Sequence, residues 1–375
     1  MTDDDNFMQL ALSCAALGRG RVEPNPMVGA VLVRDGRELA RGFHQFFGGP
    51  HAEVEVLRAA REAGVDVRGA TLYITLEPCS HSNKKTPPCA PMLAGLGLRR
   101  VVVAMEDPDP NVQGRGLAML RAAGVDVTCG LCESTARKLL RAYVKLRTHG
   151  RPWVICKWAR TSDGYLALPP EAGRWISGEA SRQDVHRLRG LCDAILVGVG
   201  TVLADDPTLN NRSGEGKQPT RIVLDSHLRT PVISRLVQTA REFPLVIVTR
   251  PLGEGIPHGE AVSPRERADA FRDTGVDILE LPGGEANLLA LLDELGRRGM
   301  TYLLVEGGPT VLHNFLHAGL ADEVQTYTSP RVLRDEFPPE TLATLPRLDT
   351  VKLPPPDMSI ERDLTIGDDT LECYA

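Results

Sequence analysis

Apolar residues along the chain fall into short continuous runs and longer spaced ones. MVGAVLV (27–33), TLYITL (71–76) and RRVVVAM (99–105) have strand length and aliphatic content, and they read as strands. FMQLALSCAAL, after a candidate cap at Asn6, and AEVEVLRAAREAG carry apolar residues at helical spacing and end at glycine. A further helical stretch, ESTARKLLRAYVKLRT, runs to Thr148. Gly150 and Pro152 then break the pattern before the strand-like WVICKWA. A boundary there divides the chain into domains 1–149 and 150–375. In the second, strands are expected at 194–200, 220–225, 243–249, 276–281 and 301–307, with helices near 179–189, 286–299 and 310–318. Residues 250–270, rich in Pro, Gly and charge, read as surface loop. Alternating strands and helices predict an α/β fold in both parts.

Composition narrows the class. The chain has 375 residues, 42% hydrophobic and 25% charged, the balance of a globular protein long enough for two cores. A net charge of -6 argues against a general nucleic-acid binder, while a local basic pocket for a phosphorylated small molecule stays compatible with it. MTDDDNF lacks the basic and apolar regions of a secretory signal, and AILVGVGTVLA is far short of the roughly 18 residues that span a bilayer. A cytoplasmic protein without membrane association is expected, and its eight cysteines read as thiols or metal ligands.

One constellation changes that picture. PHAEVEVL supplies His51 and Glu53, and TLEPCSHSNKKTPPC (75–89) supplies Cys79 and Cys89. Hydrolytic removal of a ring amino group needs a metal-acidified water, three protein ligands with an open fourth position, and a carboxylate that relays protons. An H-x-E followed by P-C and a second Cys, in that order, matches the pattern of zinc base deaminases, with the Glu outside the ligand set. A structural zinc with His81 as fourth ligand, or two unrelated buried thiols, are the competing readings. Cys14, Cys129, Cys132, Cys156, Cys192 and Cys373 read as small buried hydrophobes. Downstream, TYLLVEGGPTVLHNFL is a strand, a Glu-Gly-Gly turn and a helix start suited to an anion, and ILVGVGTVLADDPTLNNR is a second strand with a polar turn. Alone, either is an ordinary strand-to-helix turn.

Together these segments resemble the bifunctional riboflavin-biosynthesis deaminase/reductase family. EPNPMVGAVLV, GFH, PHAEVEVL and TLEPCSH…TPPC carry the first half, and RWIS, RLRG, TRIVLDS and VEGGPT the second. The resemblance implies a cytidine-deaminase-like α/β/α domain followed by a dihydrofolate-reductase-like α/β domain, zinc on His51, Cys79 and Cys89, and Glu53 as proton shuttle. It places Asn25 and His44 in the pyrimidine pocket. It puts NADPH against Ala159, Trp175, Thr201, Asp205, Ser226 and the segment opening with Gly308, Pro309 and Thr310. Arg189, Leu209, Arg212 and Glu306 would face the substrate, with Gly173 where the family often has serine. A homo-oligomer acting on a phosphorylated pyrimidine is implied. The family's cysteine loop usually holds eight residues. Here it holds nine, with Asn-Lys-Lys where Gly-Arg is expected, so Lys84 or Lys85 is expected to hold the substrate phosphate. TSDG (161–164) also departs from the usual SLDG. Three rivals stand beside this reading: a tRNA or nucleoside deaminase with an appended domain, a deaminase whose reductase half is only a scaffold, and a zinc-stabilised binding protein.

Overall fold

The computed structural model describes residues 2–80, 87–253, 262–284, 287–348, 355 and 357–375. The chain forms two compact units, Met1–Arg151 and Pro152–Ala375. Among the described residues, no helix is long and apolar enough to cross a membrane.

The first unit runs α1 (Asp3–Ala16), β1 (Gly29–Arg34), β2 (Arg37–Phe43), α2 (Ala52–Glu62), β3 (Thr71–Ile74), α3 (Cys89–Ala94), β4 (Arg100–Val103), α4 (Arg115–Ala122), β5 (Asp126–Cys129), α5 (Glu133–Leu139) and α6 (Arg141–His149). Its sheet has the order β2-β1-β3-β4-β5, with β3, β4 and β5 parallel and β1 antiparallel to both its neighbours. Met8 and Leu12 of α1, Ala136 of α5 and Tyr143 of α6 pack on one face. Val56 of α2, Leu93 of α3 and Leu120 of α4 pack on the other. The first helix starts earlier than Asn6, because Thr2 and Asp5 form a capping box. The helix expected over 133–148 is broken at Leu140, whose φ of -97° and ψ of 10° separate α5 from α6.

The second unit runs β6 (Trp153–Thr161), α7 (Glu179–Leu191), β7 (Ala194–Gly198), α8 (Val199–Asp205), β8 (Thr220–Leu224), α9 (Arg235–Gln238), β9 (Leu245–Thr249), α10 (Pro264–Asp273), β10 (Asp277–Glu280), α11 (Leu288–Arg297), β11 (Tyr302–Val305), α12 (Pro309–His317), β12 (Glu323–Ser329), α13 (Pro339–Leu342), β13 (Ile360–Ile366) and β14 (Asp369–Tyr374). The sheet order is β10-β9-β8-β7-β11-β6-β12-β14-β13, parallel from β10 to β12 and antiparallel beyond. Leu291 and Leu295 of α11 and Phe315 of α12 cover one face, and Val185 of α7 packs with Tyr327 and Leu371 on the other. The surface loop expected over 250–270 is corrected at its end. There α10 begins at Pro264, started by a capping box of Ser263 and Glu266.

Candidate active sites

In the first unit, residues distant in sequence meet at the carboxyl end of β3. His51 immediately precedes α2, Cys79 follows β3, and Cys89 opens α3. His51 Nδ1 lies 3.6 Å from Cys79 Sγ and 3.3 Å from Cys89 Sγ, and the Cys89 N–H points to Cys79 Sγ at 3.4 Å. A tetrahedral zinc, with bonds near 2.3 Å to sulfur and 2.0–2.1 Å to nitrogen, separates the two atom types by about 3.6 Å. These three residues fit that spacing, and among the described residues they are the one His/Cys/Asp/Glu group gathered closely enough to hold a metal. The Cys79 thiol is pushed down, to about 3, chiefly by hydrogen bonding from the Cys89 thiol.

Glu53 lies in the first turn of α2 and is 4% exposed. Burial pushes its carboxyl above the usual range. The close seat of α2 depends on Gly42 of β2, where a Cβ would come 2.5 Å from Val56 N. His44 Nδ1 lies 2.8 Å from the Pro50 carbonyl oxygen, an acceptor only, so that nitrogen carries the proton. His44 Nε2 therefore accepts from Asn25 Nδ2 at 3.1 Å. Burial lowers the His44 pKa, which keeps this ring neutral at neutral pH. Asn25, His44, His51, Glu53 and Cys79 share a chamber of about 260 Å³, whose far wall holds Asp107, Tyr143 and Arg147. That wall is tied to the cysteine motif by Glu77. Its carboxylate accepts N–H bonds from Asp107 at 3.2 Å, Gly114 at 2.9 Å, Gly116 at 2.8 Å and Leu117 at 3.3 Å. Gly116 is required there, since a Cβ would lie 2.1 Å from the Pro78 carbonyl oxygen. His81, Lys84 and Lys85 lie outside the described residues.

The second unit carries a cleft of about 740 Å³ at the carboxyl ends of β6 and β11. Glu306 forms a bidentate pair with Arg189, Nε to Oε1 at 2.9 Å and Nη2 to Oε2 at 2.8 Å, and Lys157 Nζ stands 3.7 Å from Glu306 Oε2. Burial alone would raise the Glu306 carboxyl, yet Arg189 and Lys157 hold it down to about 2. Burial in turn lowers the Lys157 ammonium. Arg212 Nη2 lies 3.0 Å from His186 Nε2, and burial with the neighbouring arginines lowers that histidine to about 4. Trp175 is 55% exposed, with Arg174 and Arg182 each 5.2 Å from its ring centroid in cation–π contact.

A second chamber, of about 500 Å³, shares Thr201, Asp205, Gly308 and Pro309 with the cleft and continues to Thr310 and Asn314. Among the described residues, no side chain caps the N-terminus of α12 at Gly308, and a Cβ on Gly200 would meet nothing within 4 Å. Such a glycine-lined helix start suits a dinucleotide pyrophosphate. The structure brings Ala159, Trp175, Arg189, Arg212 and Glu306 to the cleft. It does not bring Gly173, Leu209 or Ser226 into either lining. Leu209 is buried at φ 52°, and Gly173 ends a short turn at φ 91°.

Residues 1–105 match the cytidine and deoxycytidylate deaminase zinc-binding region, and residues 152–350 match the RibD C-terminal domain. The chain is 40% identical over 331 residues to riboflavin biosynthesis protein RibD of Aquifex aeolicus, covering 88% of each. To the Escherichia coli protein of that name it is 38% identical over 363 residues, covering 92% of each. A crystal structure from Thermotoga maritima, a diaminohydroxyphosphoribosylaminopyrimidine deaminase/5-amino-6-(5-phosphoribosylamino)uracil reductase, superposes with a TM-score of 0.82 at 33% identity, over 99% of this chain and 98% of that one. The chain belongs to the RibD family. The RibD match covers both halves, so a deaminase with a mere scaffold attached is not the favoured reading. Within the RibD frame, sequence reasoning missed Lys157, His186, Tyr143 and Arg147, all of which line the cavities. Tyr143 and Arg147 are four residues apart on α6, a spacing that puts both on one helix face and was legible once the pocket side was known.

Proposed function

We propose that the chain carries out two consecutive early steps of riboflavin synthesis. It hydrolytically deaminates 2,5-diamino-6-ribosylamino-pyrimidinone 5′-phosphate, then reduces the ribosyl group of the product to ribityl with NADPH. The observation that carries this reading is one chain holding two chemically distinct centres. One is the His51, Cys79 and Cys89 triad beside buried Glu53, and the other is a cleft built on Glu306, Arg189 and Lys157.

In the first unit, His51 Nδ1 and the two sulfurs would hold zinc, which acidifies water when bound. Glu53, as the carboxylate, takes the two protons of the attacking water in turn and passes the first to the ring nitrogen and the second to the leaving amine, a return that its burial-raised carboxyl favours. The ring carbon gains oxygen from water and releases ammonia. Neutral His44, with both ring nitrogens engaged, orients Asn25, whose Oδ1 and remaining amide N–H are left to meet the pyrimidine. Lys84 or Lys85 holds the phosphate, and reversing both charges is expected to raise KM for the phosphorylated substrate; an unchanged KM removes them from that role.

In the second unit, Ala159, Trp175, Thr201, Asp205 and the Gly308, Pro309 and Thr310 turn would hold NADPH, which supplies a hydride; Ser226, outside both linings, follows β8. Arg189 and Arg212 present cations to the phosphorylated substrate, Glu306 fixes Arg189 and Lys157, and Gly173 and Leu209 shape the surrounding backbone. Lys157, whose pKa is lowered by burial, is placed to supply the proton that accompanies hydride addition. The protein works in the cytoplasm as a homo-oligomer. The test is a coupled assay on one substrate sample, ammonia release first and NADPH oxidation second, with metal analysis alongside. Ammonia without NADPH oxidation would restore the scaffold reading. A stoichiometric zinc with no turnover would leave a zinc-stabilised binding protein.

A further inference from the structure

The second unit arranges its chemistry in strand order. β8, β7, β11 and β6 are consecutive parallel neighbours, so their carboxyl ends form one edge. Along that edge Lys157 and Ala159 belong to β6, Glu306 and the Gly308 turn follow β11, and the turn of Gly200 and Thr201 follows β7. A dinucleotide with its nicotinamide at β6 and its pyrophosphate at the glycine turns must extend its adenosine toward β8.

The turn after β8 is braced. Asp225 Oδ2 accepts the Thr230 N–H at 2.7 Å and the Thr230 hydroxyl at 2.8 Å. Leu228 is buried in the left-handed region at φ 52°, and its N–H bonds the Asp225 carbonyl at 3.2 Å. Between Leu228 and Thr230 stands Arg229, exposed and lining the 500 Å³ chamber. It is the one cation of the described lining, and it has no hydrogen bond or ion pair among the described residues. Asp205, the one carboxylate of that lining, also lines the cleft and so belongs to the nicotinamide side. On the same turn, His227 Nδ1 lies 2.8 Å from Arg250 Nη2, which adds a second basic group to this end of the edge.

We infer that Arg229 is the residue that selects NADPH over NADH, by receiving the 2′-phosphate of the adenosine ribose. The two dinucleotides differ only in that group. A spare guanidinium on a braced turn at the adenosine end is the chemistry that distinguishes them. The inference rests on the reading of the second unit as a dinucleotide-dependent reductase and names its specificity residue.

The experiment is calorimetric and needs no turnover. Adenosine 2′,5′-bisphosphate and AMP are titrated into the wild-type chain, R229Q and R229K. The wild type is expected to prefer the bisphosphate by about 10- to 100-fold, the range of a charge-assisted hydrogen bond. R229Q should lose most of that preference with AMP affinity unchanged, and R229K should keep part of it. R229Q should melt with the wild type, since the Arg229 guanidinium has no partner to lose among the described residues. A preference that survives in R229Q, or is absent from the wild type, overturns the inference. NADPH and NADH titrations of the wild type separate the two levels. If neither binds, the reductase reading falls and the inference with it; if NADPH binds but R229Q keeps its preference, only the role of Arg229 falls.

Discussion

Glu53 is deeply buried and Glu306 largely so, and their surroundings drive them in opposite directions. Glu53 has a histidine and two thiols for neighbours, and burial dominates, so its carboxyl is raised. Glu306 meets an arginine and a lysine, and they overcome the same burial and bring it to about 2. A raised carboxyl can carry a proton back and forth, whereas a depressed one serves as a permanent anion that orients cations. The difference supports the proposed division of labour, with proton transfer at Glu53 and ordering of charge at Glu306.

The strongest way to break this contrast is Glu53→Gln. It is expected to lower ammonia release by about 10²- to 10⁴-fold, the usual worth of a general acid–base group, with zinc content kept and reduction of supplied deaminated substrate unaffected. Near-normal ammonia release would remove Glu53 from proton transfer.

Next in size is Arg189→Met, which leaves Glu306 with Lys157 alone. Breaking a buried pair from one side costs about 3–5 kcal/mol, and Lys157 keeps the expected loss near the lower end. Denaturant unfolding measures it, and a loss under about 1 kcal/mol would mean that the pair is solvated and the contrast illusory.

A subtler sharpening comes from acid titration. The folded pKa of Glu306 near 2 lies below its ordinary 4.5, so the unfolded chain binds more protons between those values and stability rises with pH across them. This contribution is present in full above about pH 4.5 and is lost as pH falls through about 2. Arg189→Met should flatten that window in the unfolding free energy, and an unchanged slope would contradict the electrostatic account.

The smallest effect is expected at Gly173, where the family resemblance implies a missing serine hydroxyl. At φ 91° and ψ -174° this position is one that glycine occupies almost exclusively. Gly173→Ser should therefore cost about 1 kcal/mol of stability without tightening substrate binding. A lowered KM would show that the hydroxyl matters more than the backbone.

The two centres also differ in how far they can be read from sequence. The candidate metal triad is legible because each of its residues sits in a short motif fixed at the start of a helix or the end of a strand, which makes local spacing informative. Lys157 gives no such signal. In WVICKWA it reads as an ordinary strand lysine, and its value comes from Glu306, placed beside it only when β11 pairs with β6. Strand β12 and the hairpin of β13 and β14 escaped notice because VQTYTS and IERDLTI mix polar and apolar residues without a clear period. The capping boxes at Thr2 and Ser263 were readable, and they would have moved one helix start and rescued another.

The four-amide cradle of Glu77 has a consequence for redesign. It fastens the segment from Asp107 to Leu117 to the residue two places before Cys79, with Gly116 pressed against the Pro78 carbonyl. Inserting or deleting a residue in that segment would shift the amides out of register with the carboxylate. Widening the chamber for a bulkier ring is therefore a matter of trimming side chains such as Tyr143, with loop length held fixed. Substrate range in this half of the molecule is open to point substitution and closed to grafting.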